Sequence, residues 1–185
     1  HISTDCVFSG NKGGYVETDV TDTTTFYGKS KALGELSDKK NITLRTSIIG
    51  PDFNENAIGL FHWFMSQQKS IEGYTKMIWS GVTTTELSKA IQWSINNEIT
   101  GLYHITNGHP TSKNDLLELF KKYTKKEIRI NAVDGKCLDK SLIDTRLLLD
   151  YQIPSYEKMI SCMVDETARS KKFYSQYNLD PTSEK

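Results

Sequence analysis

Residues 25–36 read TFYGKSKALGEL and place a lysine, Lys31, four positions after a tyrosine, Tyr27. Helix formers follow two threonines, and either Thr24 or Thr25 could cap a helix, so the stretch predicts a helix from Thr25 to about Asp38. Residues four apart stand on one face of a helix, one turn apart. An ammonium group beside a phenol favours the phenolate, which suits the tyrosine to proton transfer near neutral pH. Two ordinary residues on a helix surface would show the same spacing, so the pair alone decides nothing.

Apolar and β-branched segments flank this helix on both sides. ISTDCVF, residues 2–8, predicts a buried strand, and ITLRTSIIG, residues 42–50, predicts a second one. Two strands joined through a helix predict a βαβ crossover in a parallel sheet. Ligands gather at the carboxyl ends of such strands, so the hydroxyl of Thr4 could hydrogen-bond the substrate oxygen that Tyr27 protonates.

After Pro51 the pattern alternates between helices and short strands. Ser112 begins a capping-box-like S-x-x-D sequence for one of these helices. The predicted helices cover residues 57–68, 83–97, 112–126 and 156 to about 177. The predicted strands cover residues 75–81, 102–108 and 127–133. Two lobes without a long linker are expected.

The overall composition argues against several kinds of partner. Lysine plus arginine equals aspartate plus glutamate, 23 each, so no net field attracts nucleic acid or an anionic membrane. The longest apolar runs are too short to span a bilayer. The four histidines have no ligand spacing, so we expect no metal site. Three widely spaced cysteines fit neither a disulfide framework nor a metal knuckle and suit the cytoplasm.

Three motifs in order are more specific than the tyrosine–lysine pair. ISTDCVFSG, FYGKSKALGE and LRTSIIGP together resemble the extended short-chain dehydrogenase/reductase family, and within it the dTDP-4-dehydrorhamnose reductase branch. The resemblance is strong over residues 1–51 and continues more weakly through SGVTTTELSKAI, GLYHITN and DKSL. With the motifs in this order, the catalytic interpretation of Tyr27 and Lys31 outweighs the surface interpretation.

The resemblance implies an α/β fold: the C-terminal part of a Rossmann-type parallel sheet with a small α+β substrate-binding lobe. Residues 1–51 would be the C-terminal part of the dinucleotide-binding domain, with the catalytic motif. Residues 52–185 would be mainly the substrate-binding lobe, with some segments returning to the Rossmann sheet.

The resemblance also implies a reaction and its cofactor. Family members reduce the 4-keto group of a nucleotide-linked deoxysugar with NADPH or NADH. Tyr27 would protonate the ketone oxygen, Lys31 would bind the nicotinamide ribose, and Thr4 would help to hold the sugar carbonyl. The backbone around Ile49 and Gly50 would pass the nicotinamide end of the cofactor.

Two substitutions distinguish the chain from the rhamnose branch. Cys6 stands where those enzymes usually have tyrosine, and Ile48 where they have tryptophan, and both aromatics contact the sugar. Their loss suggests a differently decorated sugar, such as a UDP-linked 2-acetamido sugar. Lys140 stands where family members often carry a basic residue, so a contact with the substrate diphosphate is one interpretation.

The dinucleotide fingerprint G-x-x-G-x-x-G is absent from the 185 residues. In the family it lies about a hundred residues before STD, so we expect this chain to be the C-terminal part of a longer protein. By itself the chain would then neither bind NAD(P)H tightly nor turn over, because pyrophosphate binding needs a glycine turn and a helix N-terminus. A sheet edge left unpaired in this way could be covered by a second copy, as a homodimer.

Two other functions remain open from the sequence. A nucleotide-sugar epimerase or 4,6-dehydratase would use the same tyrosine and lysine, although Thr4 is followed by Asp5-Cys6 and not by the Asp-Glu pair typical of dehydratases. A non-catalytic subunit like the regulatory subunit of methionine adenosyltransferase also resembles this branch. The presence of Thr4, Tyr27 and Lys31 together favours catalysis.

Overall fold

The computed structural model describes residues 1–54, 56–146 and 151–180. The α-helices in these ranges are α1 (Phe26–Leu33), α2 (Leu60–Ser66), α3 (Thr84–Asn96), α4 (Lys113–Thr124) and α5 (Tyr156–Arg169). The strands are β1 (Ile2–Thr4), β2 (Ile42–Thr46), β3 (Ile48–Ile49), β4 (Ser70–Tyr74), β5 (Met77–Trp79), β6 (Val82–Thr83), β7 (Gly101–His104), β8 (Thr111–Ser112), β9 (Arg129–Val133) and β10 (Leu138–Asp139).

A three-stranded parallel sheet carries the motif-bearing part of the chain. Its strand order is β1-β2-β7, with Ile2 opposite Leu44 and Ile42 opposite Gly101. Helix α1 connects β1 to β2, which confirms the predicted parallel α/β arrangement. Strand β7 follows residue 51 in the chain and pairs with β2, as expected of a segment that returns to this sheet. The division of the chain into two domains stays a prediction.

Three smaller sheets complete the described fold. Strand β5 pairs with β10 in parallel and with β8 antiparallel. Strands β3 and β6 form a parallel pair, and so do β4 and β9. The core between these elements includes Phe61 and Phe64 of α2 and Phe120 of α4. The centre of the Phe120 ring lies 5.2 Å from that of Phe61 and 5.6 Å from that of Phe64. No helix in the described residues is long and apolar enough to cross a membrane.

Both strands around α1 are shorter than the sequence predicted. Strand β1 stops at Thr4 because the Thr4 hydroxyl accepts a hydrogen bond from the backbone N–H of Cys6, which starts a 3₁₀ turn over Asp5–Val7. The second predicted strand divides into β2 and β3, which pair with different neighbours, β7 and β6. The prediction of a single long strand over residues 42–50 was therefore wrong.

Three predicted helices are too long. Helix α1 ends at Leu33 and not near Asp38, because the N–H of Leu36 bonds the Thr43 hydroxyl at 3.0 Å and turns the chain towards β2. Helix α5 ends at Arg169, since the chain beyond it folds back to bring Tyr177 against α2. Helix α2 begins only at Leu60 and ends at Ser66.

Helix starts were predicted more successfully. The hydroxyls of Thr25, Thr83 and Ser112 accept hydrogen bonds from backbone N–H groups in the first turns of α1, α3 and α4. Each bond satisfies a donor that the helix itself leaves unpaired. These caps fix where α1 begins, and α1 carries the tyrosine and lysine of the candidate site.

Candidate active site

An open cavity of about 460 Å³ lies at the carboxyl ends of β1 and β2, beside α1. The side chains that line it include Thr4, Cys6, Tyr27, Lys31 and Ile48. Tyr27 is 56% exposed, whereas Thr4 is only 8% exposed. The structure thus brings five of the sequence-predicted site residues together in one cavity, although their roles stay predictions.

Helix α1 approaches the end of β1 closely because its third residue is Gly28. A Cβ atom at this position would lie 2.2 Å from the carbonyl oxygen of Cys6 and 2.6 Å from the hydroxyl oxygen of Thr23. Both distances are far below van der Waals contact, so any larger residue would push the helix away. Gly28 therefore permits the packing that sets Tyr27 beside the strand end that carries Thr4.

The Thr4 hydroxyl already has two hydrogen bonds. Its oxygen accepts from the N–H of Cys6 at 3.1 Å, and its hydrogen is directed to a carboxylate oxygen of Asp5 at 3.2 Å. A hydroxyl has one hydrogen and two lone pairs. While Asp5 is ionised, Thr4 therefore has one free lone pair to offer to the cavity and no free hydrogen.

The predicted backbone contacts at Ile49 and Gly50 do not line this cavity. Ile49 is 4% exposed and belongs to the main hydrophobic core. Gly50 lies against the start of α3, where a Cβ would come within 2.3 Å of the Thr84 hydroxyl oxygen. Their proposed contact with a nicotinamide stays a prediction.

A second cavity of about 220 Å³ adjoins the first. It contains Lys140, the predicted diphosphate contact, and Lys113, which no sequence pattern indicated. The Lys113 ammonium lies 5.3 Å from the centre of the Trp79 ring. Asp5 and Cys6 line both cavities and so separate one from the other.

The acidic groups between the cavities are shifted towards their neutral forms. Burial raises the pKa of the Asp5 carboxyl, although the positive charges of Lys140 and Lys113 act against this. Burial and the Asp5 charge also raise the pKa of the Cys6 thiol. A raised pKa keeps the thiol protonated, so Cys6 is placed as a packing group and not as a nucleophile.

A buried ion pair ties the end of α1 to the sheet. Glu35 follows α1 and receives two hydrogen bonds from Arg45 of β2, Nε to Oε1 at 2.8 Å and Nη2 to Oε2 at 2.5 Å. The Ser3 hydroxyl donates to the same carboxylate at 2.5 Å. Since Ser3 precedes Thr4 in β1, this pair joins the strand and the helix that carry the predicted catalytic residues.

The ion pair continues to His104 of β7, which has no exposed surface. A guanidinium can only donate, so the bond of 2.9 Å from Arg45 Nη1 makes His104 Nε2 the acceptor. His104 Nδ1 then carries the hydrogen and donates to the Ile143 carbonyl at 2.9 Å. Burial lowers the pKa of His104 from 6.5 to about 4, with the Arg45 charge adding to this effect and the Glu17 charge opposing it.

His104 is therefore expected to make the fold sensitive to mild acid. Its folded pKa of about 4 lies below the unfolded value of 6.5, so the unfolded chain binds the proton more tightly. Stability is retained above pH 6.5 and falls as the pH drops from 6.5 towards 4, by about 3 kcal/mol in total. His104→Gln keeps an acceptor and a donor but does not titrate, so urea unfolding should show a much smaller loss over this range. His109→Gln, at an exposed position, is the matched control; equal losses in the His104 variant and the parent chain would contradict the prediction.

Three residues of the site were missed from the sequence. Asp5 and Lys113 gave no local signal in the sequence. Only the tertiary structure buries Asp5 and directs Lys113 to the second cavity. Gly28 could have been found, since a glycine directly after the motif tyrosine costs helix stability and calls for a packing reason. Within the described residues, no group of three histidine, cysteine or acidic side chains could hold a metal ion.

The parallel sheet, with a cavity at its carboxyl edge, is the arrangement of a Rossmann-type α/β fold. The chain belongs to the family described as the RmlD substrate binding domain, which matches residues 1–140.

Two curated relatives and one solved structure show how far the similarity extends. The chain is 34% identical over 113 residues to the spore coat polysaccharide biosynthesis protein SpsK of Bacillus subtilis, covering 58% of this chain and 39% of SpsK. It is 44% identical over 63 residues to a dTDP-4-dehydrorhamnose reductase of Aggregatibacter actinomycetemcomitans, covering 31% of this chain and 21% of that protein. The dTDP-4-dehydrorhamnose reductase of Bacillus anthracis, solved with NADP, superposes with a TM-score of 0.76 at 24% identity and covers 90% of this chain and 64% of that one.

Proposed function

We propose that the protein containing this chain reduces the 4-keto group of a nucleotide-linked deoxysugar with NADPH or NADH, in polysaccharide or nucleotide-sugar biosynthesis in the cytoplasm. The observation that carries the proposal is the convergence of Thr4, Tyr27 and Lys31 on one open cavity. Membership of the substrate-binding-domain family and the sequence similarity to a dTDP-4-dehydrorhamnose reductase support it. The chain spans less than two thirds of the length of these relatives.

The residues in the cavity suit the nicotinamide end of a dinucleotide. Tyr27 is exposed to the cavity, and Lys31 stands one turn further along the same helix, where its ammonium group can reach ribose hydroxyls. When bound, the reduced nicotinamide supplies a hydride to the ketone carbon. The pyrophosphate half has no glycine fingerprint within the 185 residues.

The chain's own groups handle the proton and the orientation of the sugar. The Tyr27 hydroxyl donates its proton to the ketone oxygen as that oxygen gains negative charge, so the product is an alcohol. Lys31 places a positive charge beside the resulting phenolate. Thr4, buried at the strand end, fixes the position of the sugar oxygens by hydrogen bonds. The walls at Cys6 and Ile48 decide which sugar fits.

Substrate choice is expected to differ from that of the rhamnose enzymes. Cys6 and Ile48 line the cavity where the rhamnose branch has two aromatic sugar contacts, so dTDP-4-dehydrorhamnose should be a poor substrate relative to another nucleotide 4-keto sugar. A panel of enzymatically generated 4-keto sugars, including a UDP-linked 2-acetamido sugar, is assayed by nicotinamide absorbance with the full-length gene product.

The reverse substitution provides the control for this panel. Cys6→Tyr combined with Ile48→Trp restores both aromatics and should raise the relative use of dTDP-4-dehydrorhamnose. A clear preference of the unmodified enzyme for the rhamnose precursor would overturn the predicted selectivity. Absence of reduction of every 4-keto sugar in the panel would overturn the proposed function.

A further inference from the structure

The carboxyl group of Asp5 lies in the wall that the two cavities share. Asp5 is 5% exposed and lines both cavities. On the side of the first cavity it receives the hydrogen of the Thr4 hydroxyl at 3.2 Å. On the side of the second cavity it faces the charges of Lys113 and Lys140. One buried carboxyl group therefore hydrogen-bonds the predicted catalytic threonine and interacts electrostatically with two lysines.

The two lysines favour the ionised form of Asp5, while burial favours the neutral form. A diphosphate in the second cavity would bring negative charge to Lys113 and Lys140 and pair with them. The two lysine charges would then no longer stabilise the ionised form of Asp5, and the negative charge of the diphosphate would repel the carboxylate. The carboxylate would take up a proton from solvent.

Protonation of Asp5 would reverse the hydrogen bond to Thr4. A neutral carboxyl group has a hydrogen to donate, and the free lone pair of the Thr4 oxygen can accept it. Thr4 would then accept from both Asp5 and the N–H of Cys6, and its own hydrogen would be free for the first cavity. Only in this state can Thr4 donate to a ketone oxygen.

We propose that Asp5 is a positioning residue that takes up a proton when a nucleotide-sugar diphosphate occupies the cavity of Lys113 and Lys140, and thereby turns the Thr4 hydroxyl into a donor towards the sugar ketone. The inference rests on the proposed function, because it takes a nucleotide sugar as the ligand. It adds a link between the two ends of that ligand, so the donor is prepared only when the diphosphate is in place.

Calorimetric titration of the 185-residue chain tests the proton uptake directly. The probes are dTDP-glucose and UDP-N-acetylglucosamine, whose diphosphate diesters carry no titrating proton near neutral pH. Each is titrated in two buffers of different ionisation enthalpy, so that the difference in apparent heat gives the number of protons bound. We expect net uptake with at least one probe, and an affinity that weakens as the pH rises from mildly acidic to neutral.

Three variants separate Asp5 from other sources of protons. Asp5→Asn should bind the probe more tightly, with no net uptake. Lys140→Met should bind about tenfold more weakly, since a charge-assisted bond to the diphosphate is lost. Lys39→Met, at an exposed position, is the control for removal of one positive charge.

Several outcomes would overturn the proposal. They are binding without proton uptake, uptake that persists in Asp5→Asn and so belongs to another group, and no binding of either probe at millimolar concentration. If Asp5→Asn does not fold, the pH dependence of affinity in the unmodified chain decides alone, and an affinity independent of pH counts against the proposal. Reduction of a 4-keto sugar by the full-length protein tests the proposed function separately, because it needs no proton uptake by Asp5.

Discussion

Replacing Tyr27 by phenylalanine is expected to lower the turnover of 4-keto sugar by about 10²- to 10⁴-fold, which is the usual contribution of a positioned general acid. The ring and its packing remain, so affinity for the nicotinamide cofactor should change little. The physical reason is that Tyr27 is the exposed phenol in the cavity that also contains Thr4 and Lys31. Turnover is measured by nicotinamide absorbance on the full-length gene product, and cofactor affinity by fluorescence titration.

The controls use residues that match in type but do not line the cavity. Tyr123→Phe removes a phenol from α4 and should leave turnover unchanged.

Lys31→Ala should damage both turnover and cofactor affinity, because its ammonium is proposed to act on the ribose and on the phenolate. Lys29→Ala, on the exposed side of the same helix, should affect neither. Full activity in Tyr27→Phe would refute the catalytic assignment.

Replacing Glu35 by glutamine is expected to cost about 3–5 kcal/mol of unfolding free energy, the usual cost of removing one partner of a buried ion pair. The Arg45 side chain is 2% exposed and that of Glu35 is 8% exposed, so neither charge has water to replace its partner. Glutamine keeps the shape and one acceptor oxygen but leaves the guanidinium without a counter-charge. Urea unfolding followed by circular dichroism measures the change.

An exposed ion pair supplies the comparison for Glu35. Lys76 and Asp134 approach to 2.5 Å, but their side chains are 54% and 72% exposed. Lys76→Gln should therefore cost much less unfolding free energy than Glu35→Gln, because solvent screens such pairs. If Glu35→Gln cost no more than Lys76→Gln, Glu35 and Arg45 would not form the buried pair that joins α1 to the sheet.

The sequence by itself determined where the hydroxyl-capped helices α1, α3 and α4 begin and which strand–helix–strand unit carries the motif. A capping hydroxyl bonds backbone N–H groups two or three residues away, so Thr25, Thr83 and Ser112 encode their helix starts locally. The alternation of β-branched strands with a helix was enough to predict a parallel sheet. The motif order was enough to predict that Thr4, Tyr27 and Lys31 share a site, and the structure places all three at one cavity.

Only the tertiary structure decided where elements end and which charges are buried. Helix α1 stops at Leu33 because Thr43, a residue of the next strand, captures the N–H of Leu36. Two-residue strands such as β6 and β10 exist only through their partners, so no local pattern predicts them. The burial of Asp5 between two cavities likewise depends on segments distant in the chain, because desolvation is a property of the whole neighbourhood and not of the residue.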